Sequence, residues 1–114
     1  MNFSKNTLKE ICIQYFKDFS NKNLLNLRNS FSEDIILRDW EIEECGVDQV
    51  IKVISNIFNN NESIDIKPIN FIIKDQEVSA EIEIVINKKE LLRVVDIIRF
   101  NDQNKIYSIN AYKG

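Results

Sequence analysis

The hydrophobic pattern of this sequence changes its period near residue 60. Before that point, apolar residues recur every three or four positions, which is the spacing of a helix that buries one face. After it, apolar and polar residues alternate, most cleanly from Val78 to Ile86, as in a strand with one buried face. Helices early in the chain and consecutive strands late in it predict an α+β fold, with the helices packed on one face of a curved antiparallel sheet.

The helical part of the pattern predicts three helices. They cover residues 4–20, residues 24–31 and residues 46–58. Ser4 is the predicted N-cap of the first helix, because a serine side chain can accept a hydrogen bond from a free N–H group of the first turn. Gly46 opens the third helix, which ends at a run of three asparagines.

The rest of the pattern predicts five strands. The first covers residues 35–40, and the acidic residues 41–45 after it are predicted to form a loop. Four further strands follow the third helix, at residues 64–74, 78–86, 91–100 and 106–112. Pro68 has no N–H group to donate, so the strand that contains it is expected to lie at an edge of the sheet or to carry a bulge.

The residue types that are missing exclude several kinds of chemistry. The chain has no histidine, which excludes a zinc–histidine site, a histidine base and any nucleophile activated by histidine. Cys12 and Cys45 match no metal-ligand spacing and are expected to be reduced thiols, with Cys12 on the apolar face of the first helix. Two glycines are too few for a phosphate-binding loop. Acid–base chemistry would therefore use Asp, Glu, Lys or Tyr.

Length and charge indicate the broad class of protein. The 114 residues are enough for one domain, residues 1–114, and 44% of them are hydrophobic, which is ordinary for a globular protein. The net charge of −3 shows no basic bias, which counts against nucleic acid or an anionic membrane as the main partner. No apolar run is longer than three residues, so no transmembrane helix is expected. We therefore expect a cytoplasmic protein that binds neither nucleic acid nor a membrane.

Two aspartates lie where strand alternation places apolar side chains. Asp39 shares a face of the first predicted strand with Ile35 and Leu37, and Asp96 lies in the middle of a face that is otherwise apolar. A carboxylate among such side chains loses several kcal/mol of solvation, so it acquires a partner or keeps its proton. A cap or turn role is the alternative for Asp39. Tyr15 lies on the apolar face of the first helix, where ordinary core packing is the alternative.

Several segments of the chain resemble the nuclear transport factor 2-like superfamily, in particular its SnoaL-like and ketosteroid isomerase-like members. The resemblance covers nearly the whole chain and is carried by residues 15–16, 31–34, 36–39, 46–51 and 94–112. It implies the cystatin-like conical barrel, in which a curved antiparallel sheet wraps around three helices and leaves a deep apolar pocket at the open end. Many members dimerise through the outer face of the sheet, so the resemblance also implies a homodimer.

The resemblance to ketosteroid isomerases implies a role for each of the three polar residues. Asp39 matches the general base at the end of the first strand, and Tyr15 matches the tyrosine that donates a hydrogen bond to the oxyanion. Asp96 matches a second donor, an aspartic acid that an apolar site keeps protonated. We expect the pocket to bind an apolar small molecule with no cofactor and no metal ion. The predicted ligand contacts are Phe16, Phe31, Trp40, Ile54, Phe58, Ile84, Ile98 and Ile109.

The opposite face of the sheet carries a mixture of charged and β-branched residues. Glu81, Glu83, Arg93 and Arg99 all point away from the face that holds Asp96. Such a mixture favours a homodimer interface, and an ordinary solvated face of an antiparallel sheet is the alternative.

Three functions remain open from the sequence. The first is an enzyme that transfers a proton on an apolar carbonyl compound, as an isomerase or a cyclase does. The second is a pocket that binds a lipophilic ligand without catalysis, and the third is a dimerising interaction module. An open cavity that holds Tyr15, Asp39 and Asp96 within hydrogen-bond reach of one point would favour the enzyme. A cavity filled by Phe16, Phe31, Phe58 or Trp40 would favour the interaction module.

Overall fold

The computed structural model describes residues 5–114, so the N-cap predicted at Ser4 lies outside the described residues. The elements in this range are α1 (Lys5–Ser20), α2 (Leu24–Ser30), β1 (Phe31–Arg38), β2 (Glu43–Cys45), α3 (Val47–Asn60), β3 (Ile64–Lys74), β4 (Glu77–Ile86), β5 (Glu90–Phe100) and β6 (Ile106–Lys113). None of these helices is long and apolar enough to cross a membrane.

The strands form one sheet, in the order β2-β1-β6-β5-β4-β3. The predicted α+β architecture is confirmed. The sheet is open, with β2 and β3 at its two edges. It is also mixed, because β1 and β6 pair in parallel while all other neighbours are antiparallel. These two strands come from opposite ends of the chain. The alternation within a strand indicates which of its faces is buried and says nothing about the direction of its partner, so an entirely antiparallel sheet was the wrong prediction.

The boundary between α2 and β1 differs from the predicted one. The α2 helix ends at Ser30, and β1 begins at Phe31, four residues before the predicted start of this strand. The Phe31 side chain is buried, and its backbone is in register with Ile106 of β6. The helical spacing of Phe31 from Leu27 is therefore overridden by pairing with a strand that lies far away in the sequence.

The acidic segment after β1 contains a short strand where a loop was predicted. Glu43–Cys45 pairs with β1, with Cys45 opposite Ile36 and Glu43 opposite Arg38. Without β2, one side of β1 would expose free backbone N–H and C=O groups, and pairing satisfies them regardless of side-chain type. Composition alone therefore could not predict this strand.

The third helix begins after Gly46, as predicted, and it ends at Asn60, two residues beyond the predicted range and within the asparagine run that was expected to end it. Gly46 is its N-cap and has a φ of 88°, a left-handed conformation that glycine adopts without strain. Val50, Ile54 and Phe58 form its buried face. These buried residues are four positions apart, which confirms the predicted helical spacing of one buried face.

The predictions for β3 and β4 are also confirmed. The β3 strand is an edge strand, and its register with β4 shifts between Pro68 and Asn70, which is the bulge expected near a proline. In β4 the alternating residues Val78, Ala80 and Ile82 are all buried.

The helices and the sheet share one hydrophobic core. Leu8, Cys12 and Phe16 of α1 are buried in it, and α1 packs mainly against β3. The two cysteines are free thiols, and Cys12 is buried whereas Cys45 is exposed.

Candidate functional site

A small cavity lies between the helices and the sheet, and we call it the inner chamber. Its volume is about 90 Å³. Three polar side chains reach it from separate parts of the chain: Tyr15 from α1, Asp39 from the turn directly after β1, and Asp96 from β5. The other lining residues are apolar or aromatic: Phe19, Leu37, Trp40, Ile54, Ile57, Ile66, Ile82, Ile84, Val94, Ile109 and Ala111.

A second cavity of about 320 Å³, the outer chamber, adjoins the inner one. The two share Phe19, Asp39, Trp40, Ile57 and Ile84, so these residues lie where the chambers meet, and we call this shared boundary the constriction. The rest of the outer lining is Glu41, Ile42, Asn61, Ile64, Ile86, Glu90, Leu92 and Lys113. The Nζ atom of Lys113 lies 5.3 Å from the centre of the Trp40 ring, which is a cation–π contact between two lining residues of the outer chamber.

Asp96 is a buried carboxyl group with free hydrogen-bonding capacity. It is 7% exposed and stands directly between Ala80 of β4 and Ala111 of β6. No side chain or backbone group among residues 5–114 forms a hydrogen bond with its carboxyl group. Burial, followed by the negative charge of Asp39, raises its pKa from 3.8 to about 7. Near neutral pH a large share of this group is therefore protonated and can donate a hydrogen bond.

Asp39 stabilises a turn and also lines the inner chamber. Its Oδ1 atom accepts hydrogen bonds of 2.7 Å from the backbone N–H groups of Glu41 and Ile42, and its own N–H donates to the Ile42 carbonyl. These bonds fix the direction of the carboxylate. Its second oxygen, Oδ2, forms no hydrogen bond with any group in residues 5–114. The turn role and the pocket role are therefore compatible, because each uses a different oxygen.

Tyr15 is held by neighbouring aromatic rings. Its ring centre lies 5.3 Å from that of Phe16, 6.0 Å from that of Phe19 and 6.1 Å from that of Phe31. Burial raises the pKa of the hydroxyl well above its usual value, and the nearby Asp96 raises it further. Tyr15 is therefore a neutral phenol that can donate a hydrogen bond, and none of the groups in residues 5–114 accepts one from it.

Cys12 lies one helical turn before Tyr15 and close to Asp96. Burial raises the pKa of its thiol to about 12, and the charge of Asp96 contributes to the shift. The thiol is therefore neutral and unreactive, and it adds to the apolar surroundings of the carboxyl group.

The structure divides the eight predicted ligand contacts into two groups. Trp40, Ile54, Ile84 and Ile109 line the inner chamber. The other four line neither chamber and are buried in the core: Phe16, Phe31, Phe58 and Ile98. The sequence correctly predicts that these four residues are buried. Other side chains cover them, however, so they do not line a chamber. Phe16 packs against Phe71 at 6.4 Å between ring centres, and Phe58 packs edge-on against Phe19 at 5.0 Å.

Several lining residues were not predicted, although the sequence carried a signal for most of them. Ile82 and Val94 alternate with Ile84 and Asp96 respectively, so each shares a face with a predicted residue. Phe19 lies one helical turn after Tyr15. Ile57, Ile66 and Ala111 also lie on buried faces, but nothing local distinguishes a chamber wall from filled core.

Comparison with solved structures identifies the fold. A SnoaL-like protein of unknown function from Burkholderia thailandensis E264 has a TM-score of 0.85 at 9% identity, over 100% of this chain and 99% of that one. A protein of unknown function with a cystatin-like fold from Methylobium petroleophilum PM1 has a TM-score of 0.87 at 12% identity, over 100% and 80%. The epoxide hydrolase/cyclase-like enzyme SalBIII, which acts in pyran ring formation in the polyether salinomycin, has a TM-score of 0.84 at 16% identity, over 97% and 93%.

No protein-family model and no curated protein matches the sequence. The structural likeness is nevertheless extensive, since the alignments with the three proteins above cover nearly all of this chain. The chain therefore has the nuclear transport factor 2-like, or cystatin-like, α+β fold, as its resemblance to SnoaL-like and ketosteroid isomerase-like proteins predicted.

Proposed function

We propose that this protein transfers a proton on a small apolar carbonyl compound, as an isomerase or a cyclase does. The observation that carries the proposal is that Asp39, Tyr15 and Asp96 line one apolar chamber and that each has a polar atom with no hydrogen-bond partner in residues 5–114. Phe16, Phe31 and Phe58 do not fill the chamber, because their side chains pack in the core. The similar fold of the cyclase-like enzyme SalBIII is consistent with this chemistry.

Each polar group has a distinct role in the proposed reaction. The free Oδ2 of Asp39 takes a proton from the carbon next to the ligand carbonyl, and the electron pair of the broken C–H bond forms the enolate. Negative charge then develops on the carbonyl oxygen, where Tyr15 and the protonated Asp96 donate hydrogen bonds. Asp39 returns the proton to the same carbon or to another carbon of the enolate. In D₂O, the solvent replaces the abstracted proton with deuterium.

Deuterium exchange tests this proposal. The wild-type protein in D₂O should catalyse exchange of the hydrogens next to the carbonyl of a linear ketone such as 2-heptanone, measured by proton NMR. Asp39→Asn should lower the rate about 10²- to 10⁴-fold, because it removes the base and keeps the shape of the side chain. Tyr15→Phe should weaken both exchange and the binding of phenols, which resemble the enolate. Asp75→Asn, at an exposed turn, is the matched control and should not change the rate.

A pocket that binds ligands without catalysis is the second candidate. The observation that favours it is the pair of hydrogen bonds from the backbone to Asp39 Oδ1. These bonds alone explain why an aspartate occupies this turn, even if it does not act as a base. A panel of ketones that bind without exchange above the buffer rate would support this function and contradict the enzyme.

Dimerisation and location also belong to the proposal. The outer face of the sheet carries the Arg93–Glu83 ion pair, at 3.7 Å, together with the exposed side chains of Val95 and Tyr112, which stand opposite each other. We infer a homodimer through this face. We also infer a cytoplasmic location, since both cysteines are free thiols and reducing compartments keep them so.

A further inference from the structure

The inner chamber is narrow, and its size limits what can enter it. Its volume is about 90 Å³. An apolar cavity of roughly 150 Å³ holds one benzene molecule, so on the same scale this chamber holds about four non-hydrogen atoms. Four such atoms correspond to a carbonyl carbon, its oxygen and the two carbons bonded to it.

The walls around Asp96 set this size. The sequence contains two alanines, Ala80 and Ala111, and both stand beside Asp96 on the neighbouring strands. Ala111 lines the chamber, and its single methyl group leaves the space next to the carboxyl group open. Ile82 and Ile109 close the chamber nearby and are almost fully buried in paired strands, so this part of the wall has little freedom to widen.

The outer chamber is much larger than the inner one. It holds about 320 Å³ and is bounded largely by the hydrocarbon side chains of Ile42, Ile64, Ile86 and Leu92. A molecule can therefore have a longer apolar part, provided that this part leaves the inner chamber through the constriction at Ile57.

We propose that the ligand is an acyclic carbonyl compound, whose reactive end of about four non-hydrogen atoms enters the inner chamber while an apolar chain extends into the outer chamber. A carbonyl within a ring is a poor ligand, because the ring atoms exceed the space beside Asp96. Fused-ring compounds such as steroids are poorer still. The identity of the reactive group rests on the proposed function, whereas the size limit rests on the chamber alone.

The test compares 2-heptanone with cyclohexanone in two independent measurements. The first is the rate of deuterium exchange next to the carbonyl. The second is binding, followed by the fluorescence of Trp40, which is the single tryptophan and lies at the constriction with 40% of its surface exposed. We expect 2-heptanone to be preferred about tenfold or more in both measurements, the range by which pockets discriminate small differences in size.

Two variants locate the size limit. Ile57→Ala widens the constriction and should reduce the preference for 2-heptanone. Ile51→Ala is the matched control, because Ile51 is half-buried on the same helix and lines neither chamber, and it should leave the preference unchanged.

The outcomes separate the size limit from the proposed function. If cyclohexanone binds and exchanges as well as 2-heptanone, the size limit is wrong and the proposed function stands. If neither ketone exchanges but Trp40 fluorescence still reports a preference for 2-heptanone, the proposed function fails and the size limit holds. Equal binding of the two ketones, or binding of neither, overturns the size limit whatever the exchange rates.

Discussion

Asp96 lies in surroundings that oppose the charged form of its carboxyl group. Its carboxyl group lies between two alanine methyl groups, near a neutral thiol and a neutral phenol, without a basic partner among the residues that shift its pKa. Ionisation in this place costs solvation energy that no hydrogen bond from residues 5–114 restores. The same environment that opposes the charge makes the protonated form a hydrogen-bond donor.

The raised pKa of Asp96 predicts how stability depends on pH. Its folded pKa of about 7 lies above the unfolded value of 3.8, so the folded state binds the proton more tightly. The free energy of unfolding should therefore fall as pH rises from about 4 to 7, by roughly 4 kcal/mol at most, and then level off. Asp96→Asn, which cannot ionise, should be more stable than wild type at pH 8 and equally stable near pH 3, as measured by urea unfolding. A difference that does not change with pH would show that the folded and unfolded pKa values are equal.

At the scale of elements, Lys22 joins the turn between α1 and α2 to the end of α3. It lies between α1 and α2 with a φ of 57°. Its ammonium group donates hydrogen bonds to the carbonyl oxygens of Phe58 and Glu62, at 3.0 and 3.1 Å, and also to that of Asn61. The last turn of α3 has no basic residue of its own, so Lys22 supplies the positive charge that the carbonyl end of a helix favours. One of the groups that Lys22 contacts, Asn61, also lines the outer chamber.

Replacing Lys22 should therefore destabilise the fold. Lys22→Met keeps the length of the side chain and removes the charged donor, so the free energy of unfolding should fall by about 1–3 kcal/mol. Lys52→Met is the matched control, since Lys52 is an exposed lysine on α3 that forms no hydrogen bond or ion pair with the other residues in 5–114. Equal losses for the two variants in urea unfolding would contradict a capping role for Lys22.

At the scale of the whole molecule, the sheet has two unlike faces. The inner face carries the core and the chambers. The outer face carries the Arg99–Glu77 ion pair at 2.6 Å and, on adjacent strands, the large exposed side chains of Val95 and Tyr112, which are 39% and 58% exposed. Exposed ion pairs contribute little to the stability of a monomer, and a wholly solvated face does not require a paired valine and tyrosine.

This arrangement predicts a homodimer, with an interface on the order of 1,600 Å². Sedimentation velocity at high micromolar concentration should give a dimer of the 13.4 kDa chain. Val95→Glu should shift the protein towards the monomer, because it places a carboxylate in the centre of the interface. Leu25→Glu changes a side chain that is exposed on α2 and should leave the dimer intact. A wild-type monomer under these conditions would contradict the proposed interface.

Much of the fold could be predicted because local periodicity reports which face of an element is buried. The faces of α1, α3, β4 and β5 followed directly from it, and so did the abnormal positions of Asp39 and Asp96 on faces that are otherwise apolar. The bulge at Pro68 followed from a missing N–H group, and the start of α3 followed from a glycine.

The tertiary structure decided what periodicity does not encode. The parallel pairing of β1 with β6, the short strand β2 and the start of β1 at Phe31 all depend on backbone partners that are distant in the chain. The extent of the chambers depends on distant residues as well, since Phe16 and Ile54 look equally buried in the sequence while only Ile54 borders a cavity. A single sequence determines which side chains leave water, because that depends on the residue and its phase. Whether such a side chain meets another side chain or empty space depends on how several elements pack together, and only the folded chain decides that.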